Sequence, residues 1–337
     1  MYEFNEANFG QTVANSPALS LSNGPVGSVG LNSLLQGRYS LDAEVGCGGM
    51  GKVFKAYDFK TGRFCAIKLM HSHLRDEPLS LKRFEREARI SLELRHDNIV
   101  RVADFGFTPS REPYFVMEFL QGMSLADLLE IDKVISEERF VSVFSQVCLG
   151  LSYAHGRKVV HRDMKPSNVM LVGIGNTEKV KLVDFGIARV CSRTGELCSS
   201  TLADLSLLSD NIDQLTYESK EKLQKLTQPG EIFGSPLYMS PEQCLGDEAD
   251  CVSEVYSLGC MMFEALVGSA PLRGRTAMDT LLKRVNQKAP SINSLDGQLR
   301  FTEAMESLVA KCLERERSQR FQTVDAVYDA LQCMKMD

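Results

Sequence analysis

The sequence predicts a two-lobed α+β protein, with a small β-rich N-lobe that contains one helix and a larger, mostly helical C-lobe. Strand-like patterns are concentrated between residues 39 and 119, whereas helical spacing dominates from residue 137 onward. A strand-rich half followed by a helix-rich half implies two lobes, each with its own core. The 337 residues fit one such unit, and a content of 44% hydrophobic and 24% charged residues is ordinary for a globular protein.

The composition also excludes several classes of protein. Lys and Arg total 38 against 44 Asp and Glu, and the net charge of −6 argues against general nucleic-acid binding. No run of about 18 apolar residues occurs, and no basic start followed by an apolar stretch is visible, so neither a membrane span nor a secretory signal is expected. The ten Cys form no C-x-x-C pair and mostly lie in apolar runs. We therefore expect a cytoplasmic protein with reduced core thiols.

The N-terminal half reads as a tail followed by strands. Residues 1–36 are rich in Asn, Ser and Gly without sustained periodicity, which predicts a flexible tail. From residue 38, alternating and apolar runs separated by turn signals predict successive strands, with one helix among them. The predicted strands are 39–45, 52–58, 63–69, 99–105 and 114–119, and the predicted helix is 79–94.

The C-terminal half is mostly helical in pattern. Helical spacing of apolar residues predicts a helix over 137–155, and the run 255–267 is apolar almost all round, which indicates a helix buried on every side. Two short apolar runs between them, 169–172 and 180–183, predict a hairpin. The segment of about 191–230 is rich in Ser, Thr and Leu, and it is either a solvated insertion or partly an added helix.

A glycine-rich turn is the first candidate for a phosphate site. Gly46, Gly48 and Gly51 have G-x-G-x-x-G spacing, which lets backbone N–H groups approach phosphate oxygens. The pattern alone is weak, because glycine-rich hairpin turns are common. Strand-like sequence on both sides disfavours a dinucleotide fold, and the absence of G-K-[ST] here excludes a Walker loop.

Lys68 ends an apolar strand, and Glu87 lies on the apolar face of the predicted helix. A buried carboxylate is costly unless it is paired, so Glu87 would pair with Lys68 and hold it towards phosphate. The alternative is that Glu87 is one more surface charge in a charge-rich helix.

Residues 161–168 (H-R-D-M-K-P-S-N) form the strongest segment, because several chemically active groups are bracketed by apolar sequence. Asp163 can accept a proton, Lys165 can steady a phosphoryl group, and Asn168 can bind a metal through its amide oxygen. Asp184 follows the next apolar run and suits a hard cation such as Mg²⁺.

Taken together, these motifs resemble those of bacterial Hanks-type (eukaryotic-like) serine/threonine protein kinases. The patterns G-x-G-x-x-G-x-V, A-I-K, H-R-D-x-K-x-x-N and D-F-G occur in that order, with an A-P-E equivalent in the run 238–243 (Y-M-S-P-E-Q). The resemblance covers about residues 38–331. It implies a bilobal protein kinase fold over 38–334, with an N-lobe of about 38–118, a C-lobe of about 122–334, and a long activation-segment insertion of about 191–230.

The resemblance also implies roles for individual residues. Asp163, Lys165, Lys68 and Glu87 would be catalytic, Asn168 and Asp184 would hold Mg²⁺, and Glu242 would pair with Arg320. ATP would be bound by Val45, Gly46, Cys47, Gly48, Gly49, Met50, Gly51, Val53, Ala66, Lys68, Glu118, Leu120 and Met170. The partners implied are proteins with Ser or Thr acceptors, with a regulatory partner or self-association possible in addition, and the expected reaction includes autophosphorylation.

Besides Ser235, which stands where the family usually has Thr and keeps the hydroxyl, two features depart from the family pattern. Glu254 stands where the family has an Asp that accepts backbone hydrogen bonds from the H-R-D loop, and we expect Glu254→Asp to be tolerated or mildly activating. The insertion is the second, and Thr227 within it is a candidate phosphorylation site that would pair with Arg162, with Thr216, Thr201 and the pair Ser199 and Ser200 as competing acceptors. Because the chain ends soon after its last predicted helix, an input signal would come from a partner, the tail or the insertion.

Two alternatives to an active protein kinase remain. A pseudokinase scaffold or binding module with weak or no transfer is disfavoured by the complete catalytic set. A small-molecule phosphotransferase is disfavoured by the segment 234–243, which resembles a peptide-docking segment.

Overall fold

A computed structural model describes residues 33–48, 51–70, 78–185, 235–294 and 300–334. The N-lobe is an antiparallel sheet of six strands in the order β1-β2-β3-β4-β6-β5. Elements are numbered here in chain order among the described residues. The strands are β1 (Leu34–Leu35), β2 (Tyr39–Gly48), β3 (Gly51–Asp58), β4 (Arg63–Met70), β5 (Val102–Phe107) and β6 (Pro113–Glu118), and the helix α1 spans Pro78–Glu93.

The two faces of this sheet carry separate apolar cores. Successive residues of a strand point to opposite faces, so Ile67 joins a cluster with Phe54 and Val116, whereas Ala66 faces the cluster beneath α1. Phe84 of α1 is fully buried in that second cluster, with its ring centroid 4.8 Å from that of Phe115. The helix therefore covers one face of the sheet beside the nucleotide-site candidates.

The C-lobe begins with a small sheet and a long helix. Three short strands, β7 (Gly122–Ser124), β8 (Val169–Val172) and β9 (Lys179–Leu182), pair in that order, and α2 (Leu125–Asp132) and α3 (Glu137–His155) precede β8. Ser136 caps α3 by accepting the N–H of Arg139. The predicted helix 137–155 and the predicted strand 169–172 are confirmed at both ends.

The remaining described helices surround a buried central one. They are α4 (Pro241–Cys244), α5 (Cys251–Val267), α6 (Ala277–Asn286), α7 (Glu303–Cys312) and α8 (Val324–Cys333). The predicted all-round burial of 255–267 is confirmed, since α5 lies at the centre of the large C-lobe core. Asp250 caps its start, and Gly268, at φ 86°, ends it in the left-handed conformation that glycine adopts readily.

The boundary between the two cores passes between neighbouring residues. Ile99 belongs to the C-lobe core and Val100 to the N-lobe core beneath α1. The N–H of Val100 donates to the carbonyl of Leu182, and the N–H of Leu182 donates to that of Asn98. The strand predicted from residue 99 consequently begins at Val102, because Ile99 forms a parallel bridge with β9 instead.

The first described strand also differs from the sequence prediction. Leu34 and Leu35, which were assigned to the tail, pair with Ser40 and Tyr39 at the edge of the sheet. The rest of the predicted tail and most of the predicted insertion lie outside the described residues. Among the described helices, none has the length and apolar character that crossing a bilayer requires.

Candidate active site

Most of the sequence candidates line a cleft between the lobes, although Asp163 and Glu87 are not part of its lining. Its volume is about 510 Å³, which falls in the usual range for small-molecule sites. The predicted residues that line it are Val45, Gly46, Cys47, Gly48, Gly51, Val53, Ala66, Lys68, Glu118, Leu120, Lys165, Asn168, Met170 and Asp184. Gly49 and Met50, at the tip of the glycine-rich turn, lie outside the described residues.

The glycine-rich turn joins two strands, as the sequence predicts. Gly48 on β2 pairs with Gly51 on β3, and the two strands form the roof of the cleft. Gly51 has a φ of 155°, and a Cβ placed there would lie 2.1 Å from the carbonyl oxygen of Leu69. Only glycine allows the backbone of β3 to approach β4 this closely.

Lys68 forms the central ion pair of the cleft. Its Nζ lies 2.7 Å from Oδ2 of Asp184, and the lysine is buried. Asp184 has a φ of 67°, a left-handed conformation that costs energy for a residue other than glycine and is common at functional sites. Burial by itself raises the pKa of Asp184, but the charge and hydrogen bond of Lys68 outweigh it and lower the pKa overall.

The predicted pairing of Lys68 with Glu87 differs from what the structure contains. Among the ion pairs of the described residues, Lys68 pairs with Asp184 and not with Glu87. Glu87 is half-buried on α1 and makes contacts of its own. The ammonium of Lys68 pairs instead with the carboxylate of Asp184, which follows the end of β9 by two residues. One turn after Glu87 on α1, the hydroxyl of Ser91 donates to the carbonyl oxygen of Phe185 at 3.4 Å.

The segment 161–168 brings three functional groups together. Nζ of Lys165 lies 2.6 Å from Oδ2 of Asp163, and the amide nitrogen of Asn168 donates to the Asp163 carbonyl at 2.7 Å. The second bond commits the nitrogen of Asn168, so its amide oxygen is left to act as a metal ligand. A turn of 3-10 helix over Pro166–Asn168 fixes this geometry before β8 begins.

The catalytic segment 161–168 is held in place by contacts of His161 with the residues on either side of Asp184. The ring nitrogen Nε2 of His161 lies 2.7 Å from the carbonyl of Val183, and its ring contacts that of Phe185 at 4.6 Å between centroids. Arg162 has a φ of 72°. Its Nε is buried without a hydrogen-bond partner in the described part of the chain.

Glu254 on α5 fits the loop by using both of its oxygens. Oε1 accepts the N–H of Arg162 at 2.6 Å, and Oε2 lies 2.6 Å from Nε2 of His155 at the end of α3. The side chain is almost fully buried. The added methylene is therefore accommodated, and it lets one carboxylate join the catalytic segment to α3.

The predicted brace of the C-lobe is confirmed. The guanidinium of Arg320 is fully buried and donates to both oxygens of Glu242, at 2.7 and 2.9 Å. Burial by itself raises the pKa of Glu242, but the hydrogen bonds and charge of Arg320 lower it overall. This bidentate pair joins α4 to the segment before α8.

Several cleft residues were missed by sequence reasoning. Asp127 lines the cleft and also forms a capping box with Ser124 at the start of α2. The S-x-x-D spacing was visible in the sequence, but it indicates a helix start and not a ligand contact. The other additions are Val100, Phe119, Ser167 and Val183.

Comparisons with known proteins agree on one family. The family described as "Protein kinase domain" matches residues 39–332. The chain is 31% identical over 296 residues to a "Probable serine/threonine-protein kinase PknB" of Lactococcus lactis, covering 88% of this chain and 42% of that protein. It is 32% identical over 294 residues to "Serine/threonine-protein kinase PknB" of Mycolicibacterium smegmatis, covering 86% and 41%. The chain thus spans about two fifths of the length of these relatives.

Solved structures show the same fold. The kinase domain of PknI from Mycobacterium tuberculosis superposes with a TM-score of 0.64 at 19% identity, covering 90% of this chain and 99% of that one.

Proposed function

Because this chain belongs to the protein kinase family, we propose that it is an ATP-dependent serine/threonine protein kinase that transfers the γ-phosphate of ATP to hydroxyls of proteins, itself included. The observation that carries the proposal is the convergence of Lys68, Lys165, Asn168 and Asp184 on one cleft, with Asp163 hydrogen-bonded to both Lys165 and Asn168. We place its action in the cytoplasm, because the described cysteines are free thiols and several are fully buried.

The residues present fit Mg²⁺ and a nucleotide. Carboxylate and amide oxygens are ligands of Mg²⁺, and Asp184 and Asn168 supply one of each. The roof of the cleft would cover the phosphates with backbone N–H groups, and Lys68 would neutralise phosphate charge. At the hinge, the N–H of Leu120 has no acceptor among the described residues, so it is available to the adenine ring.

The chemistry follows from positioning and charge. In the transfer step, the acceptor oxygen bonds to the γ-phosphorus, the bond between that phosphorus and the bridging oxygen of ADP breaks, and the hydroxyl proton passes to a carboxylate oxygen of Asp163. Lys165 already binds the other oxygen of this carboxylate and orients it. When bound, Mg²⁺ supplies neutralisation of the charge that develops on the phosphates.

The test is incubation of the purified chain with labelled ATP and Mg²⁺, followed by mapping of the phosphorylated residues. We expect label on Ser or Thr, and near-complete loss of it in Lys68→Met and Asp163→Asn with unchanged circular dichroism. Lys179→Met, at an exposed position of β9, is the matched control and should keep normal transfer. Phosphotyrosine as the main product would refute the Ser/Thr assignment. No incorporation by the wild type would favour a binding module.

We further propose that a phosphate in the activation segment orders the site through Arg162. Thr227, the favoured acceptor, lies outside the described residues. The support is the buried, unpartnered Nε of Arg162 in the described part of the chain, since a buried donor without an acceptor is costly. Thr227→Ala should then fail to regain activity when it is treated with phosphatase and re-incubated with ATP. Full recovery would eliminate this threonine as the acceptor.

A further inference from the structure

Residues 235–240, here called the docking segment, precede α4 and resemble the part of a kinase that receives the acceptor peptide. The segment lies over α5 and α6 and contains no regular secondary structure beyond a turn. An irregular segment has no ladder to satisfy its carbonyl groups, so its conformation depends on what binds them. The partners of these carbonyls therefore determine the surface that a substrate meets.

One side chain binds three of these carbonyls. Nε of Arg284, on α6, donates to Pro236 at 2.9 Å, Nη2 donates to Leu237, and Nη1 lies 3.3 Å from the oxygen of Met239. The arginine is fully buried. A planar guanidinium with five N–H groups is the only side chain that can span three acceptors in this way.

The fourth carbonyl is bound from α5. The hydroxyl of Ser257 donates to the carbonyl of Tyr238 at 2.7 Å. Four consecutive carbonyls, from residue 236 to residue 239, are thus turned into the C-lobe and satisfied there. With its carbonyls committed inward, the docking segment has one fixed backbone conformation.

The surroundings of Arg284 indicate why a charged residue is kept at a buried position. Its other contacts are the carbonyl of Pro271, the hydroxyl of Tyr256 at 3.4 Å and the thiol of Cys260 at 3.0 Å. Among the described residues, no carboxylate lies within ion-pairing distance of it. An apolar side chain of similar volume would avoid the cost of burying the charge, but it would leave three carbonyls without donors. The role of Arg284 is thus to donate hydrogen bonds to these three carbonyls.

We propose that Arg284 is a positioning residue that fixes the docking segment for the acceptor peptide and so determines affinity for the protein substrate, with little effect on ATP. The inference rests on the proposed kinase function. Arg284 contacts neither the cleft nor the catalytic segment in the described structure, so its removal acts on one substrate only.

The kinetic test compares Arg284→Met and Arg284→Lys with the wild type, on a protein substrate identified by phosphosite mapping. We expect the KM for this substrate to rise at least tenfold in Arg284→Met, with the KM for ATP and the slow transfer of phosphate to water changed less than twofold. Arg284→Lys should recover part of the loss, because an ammonium donates to some of the carbonyls. Arg275→Met, at an exposed position just before α6, is the matched control.

Ser257→Ala keeps the proposal testable if Arg284→Met does not fold. It removes the donor to the fourth carbonyl at small cost in volume, and it should raise the same KM about threefold while sparing ATP, which corresponds to about 0.7 kcal/mol. Equal loss of affinity for both substrates would indicate a general structural role and overturn the inference.

Hydrogen exchange separates this inference from the proposed function. The amides of residues 237–239 should exchange at least tenfold faster in Arg284→Met than in the wild type, whether or not the chain transfers phosphate. Faster exchange in Arg284→Met, combined with no phosphate transfer by the wild type, would support the positioning role and refute the kinase function. Unchanged exchange together with an unchanged KM would refute the positioning role.

Discussion

Glu254 is the position where a small change should reveal how the catalytic segment is supported. Its carboxylate binds the N–H of Arg162 and the ring nitrogen of His155, both at 2.6 Å. The sequence alone led us to expect that Glu254→Asp is tolerated or mildly activating. The structure reverses that expectation, because aspartate is shorter by one bond of about 1.5 Å and cannot reach both partners.

The magnitude follows from the number of bonds lost. A hydrogen bond to a charged group contributes about 1.5–3 kcal/mol, so Glu254→Asp should lower the free energy of unfolding by about that amount. For a chain of 337 residues, this loss should lower the melting temperature by about 2–4 °C. Activity should fall as well, since Arg162 precedes Asp163 directly.

The assay is thermal unfolding combined with phosphate transfer for Glu254→Asp, Glu254→Gln and His155→Gln, with the double variant Glu254→Gln/His155→Gln completing a cycle. The two single changes should be non-additive, because they remove the same contact. Glu254→Asp should be less active than the wild type at a temperature where both are folded. An unchanged melting temperature and unchanged turnover in this variant would refute the reasoning.

Three further results are expected. Arg320→Met should lower the free energy of unfolding by about 3–5 kcal/mol, because it leaves a buried carboxylate unpaired, whereas Arg317→Met, whose side chain is 43% exposed, should cost under about 1 kcal/mol. Wild-type stability should fall as the pH drops below about 4, since Arg38 lowers the pKa of Asp58 and the stability this provides is lost when the folded protein is protonated. Gly51→Ala should destabilise the N-lobe by more than 1 kcal/mol, owing to its clash with β4.

Denaturant titrations check all three. For the brace, equal effects of the two arginine substitutions would contradict the role of burial. For the acid response, Asp58→Asn should flatten the dependence on pH, and an undiminished slope in this variant would argue against it. For the turn, Gly46→Ala is the control, since a Cβ there meets only the Cβ of Val53 at 3.8 Å. A larger loss at Gly46 than at Gly51 would contradict the steric argument.

The regular elements were largely predictable because local patterns carry them. The helix α3 has apolar residues at helical spacing and a serine cap, and both signals lie within its own sequence. The strand β1 could not be predicted, because two residues show no periodicity and their partner β2 supplies the reason for the pairing. Likewise, the sequence around Ile99 predicts the start of a strand, but Ile99 pairs with Leu182 of β9, more than 80 positions away.

The candidate site divides in the same way. The order of the motifs in the sequence was enough to predict that Lys68, Asn168 and Asp184 lie in one site, and all three line the same cleft. The contacts of Arg284 and the bridge between Glu254 and His155 join elements that are distant in the chain. No local sequence pattern therefore predicts them. In the sequence, Arg284 looks like an ordinary arginine of a helix, Glu254 like an acidic residue in the first turn of a helix, and His155 like the end of one.

The peptide bond between Ile99 and Val100 has a consequence for how the protein melts. Each side of this bond is embedded in a different core, and β9 hydrogen-bonds across it. Unfolding of the C-lobe would remove the carbonyl of Leu182, which accepts the N–H of Val100 just before β5. The N-lobe would therefore lose a stabilising contact at the same time. We therefore expect the two lobes to unfold together and to give one heat-absorption peak in calorimetry, although the sequence divides them into a strand-rich and a helix-rich half.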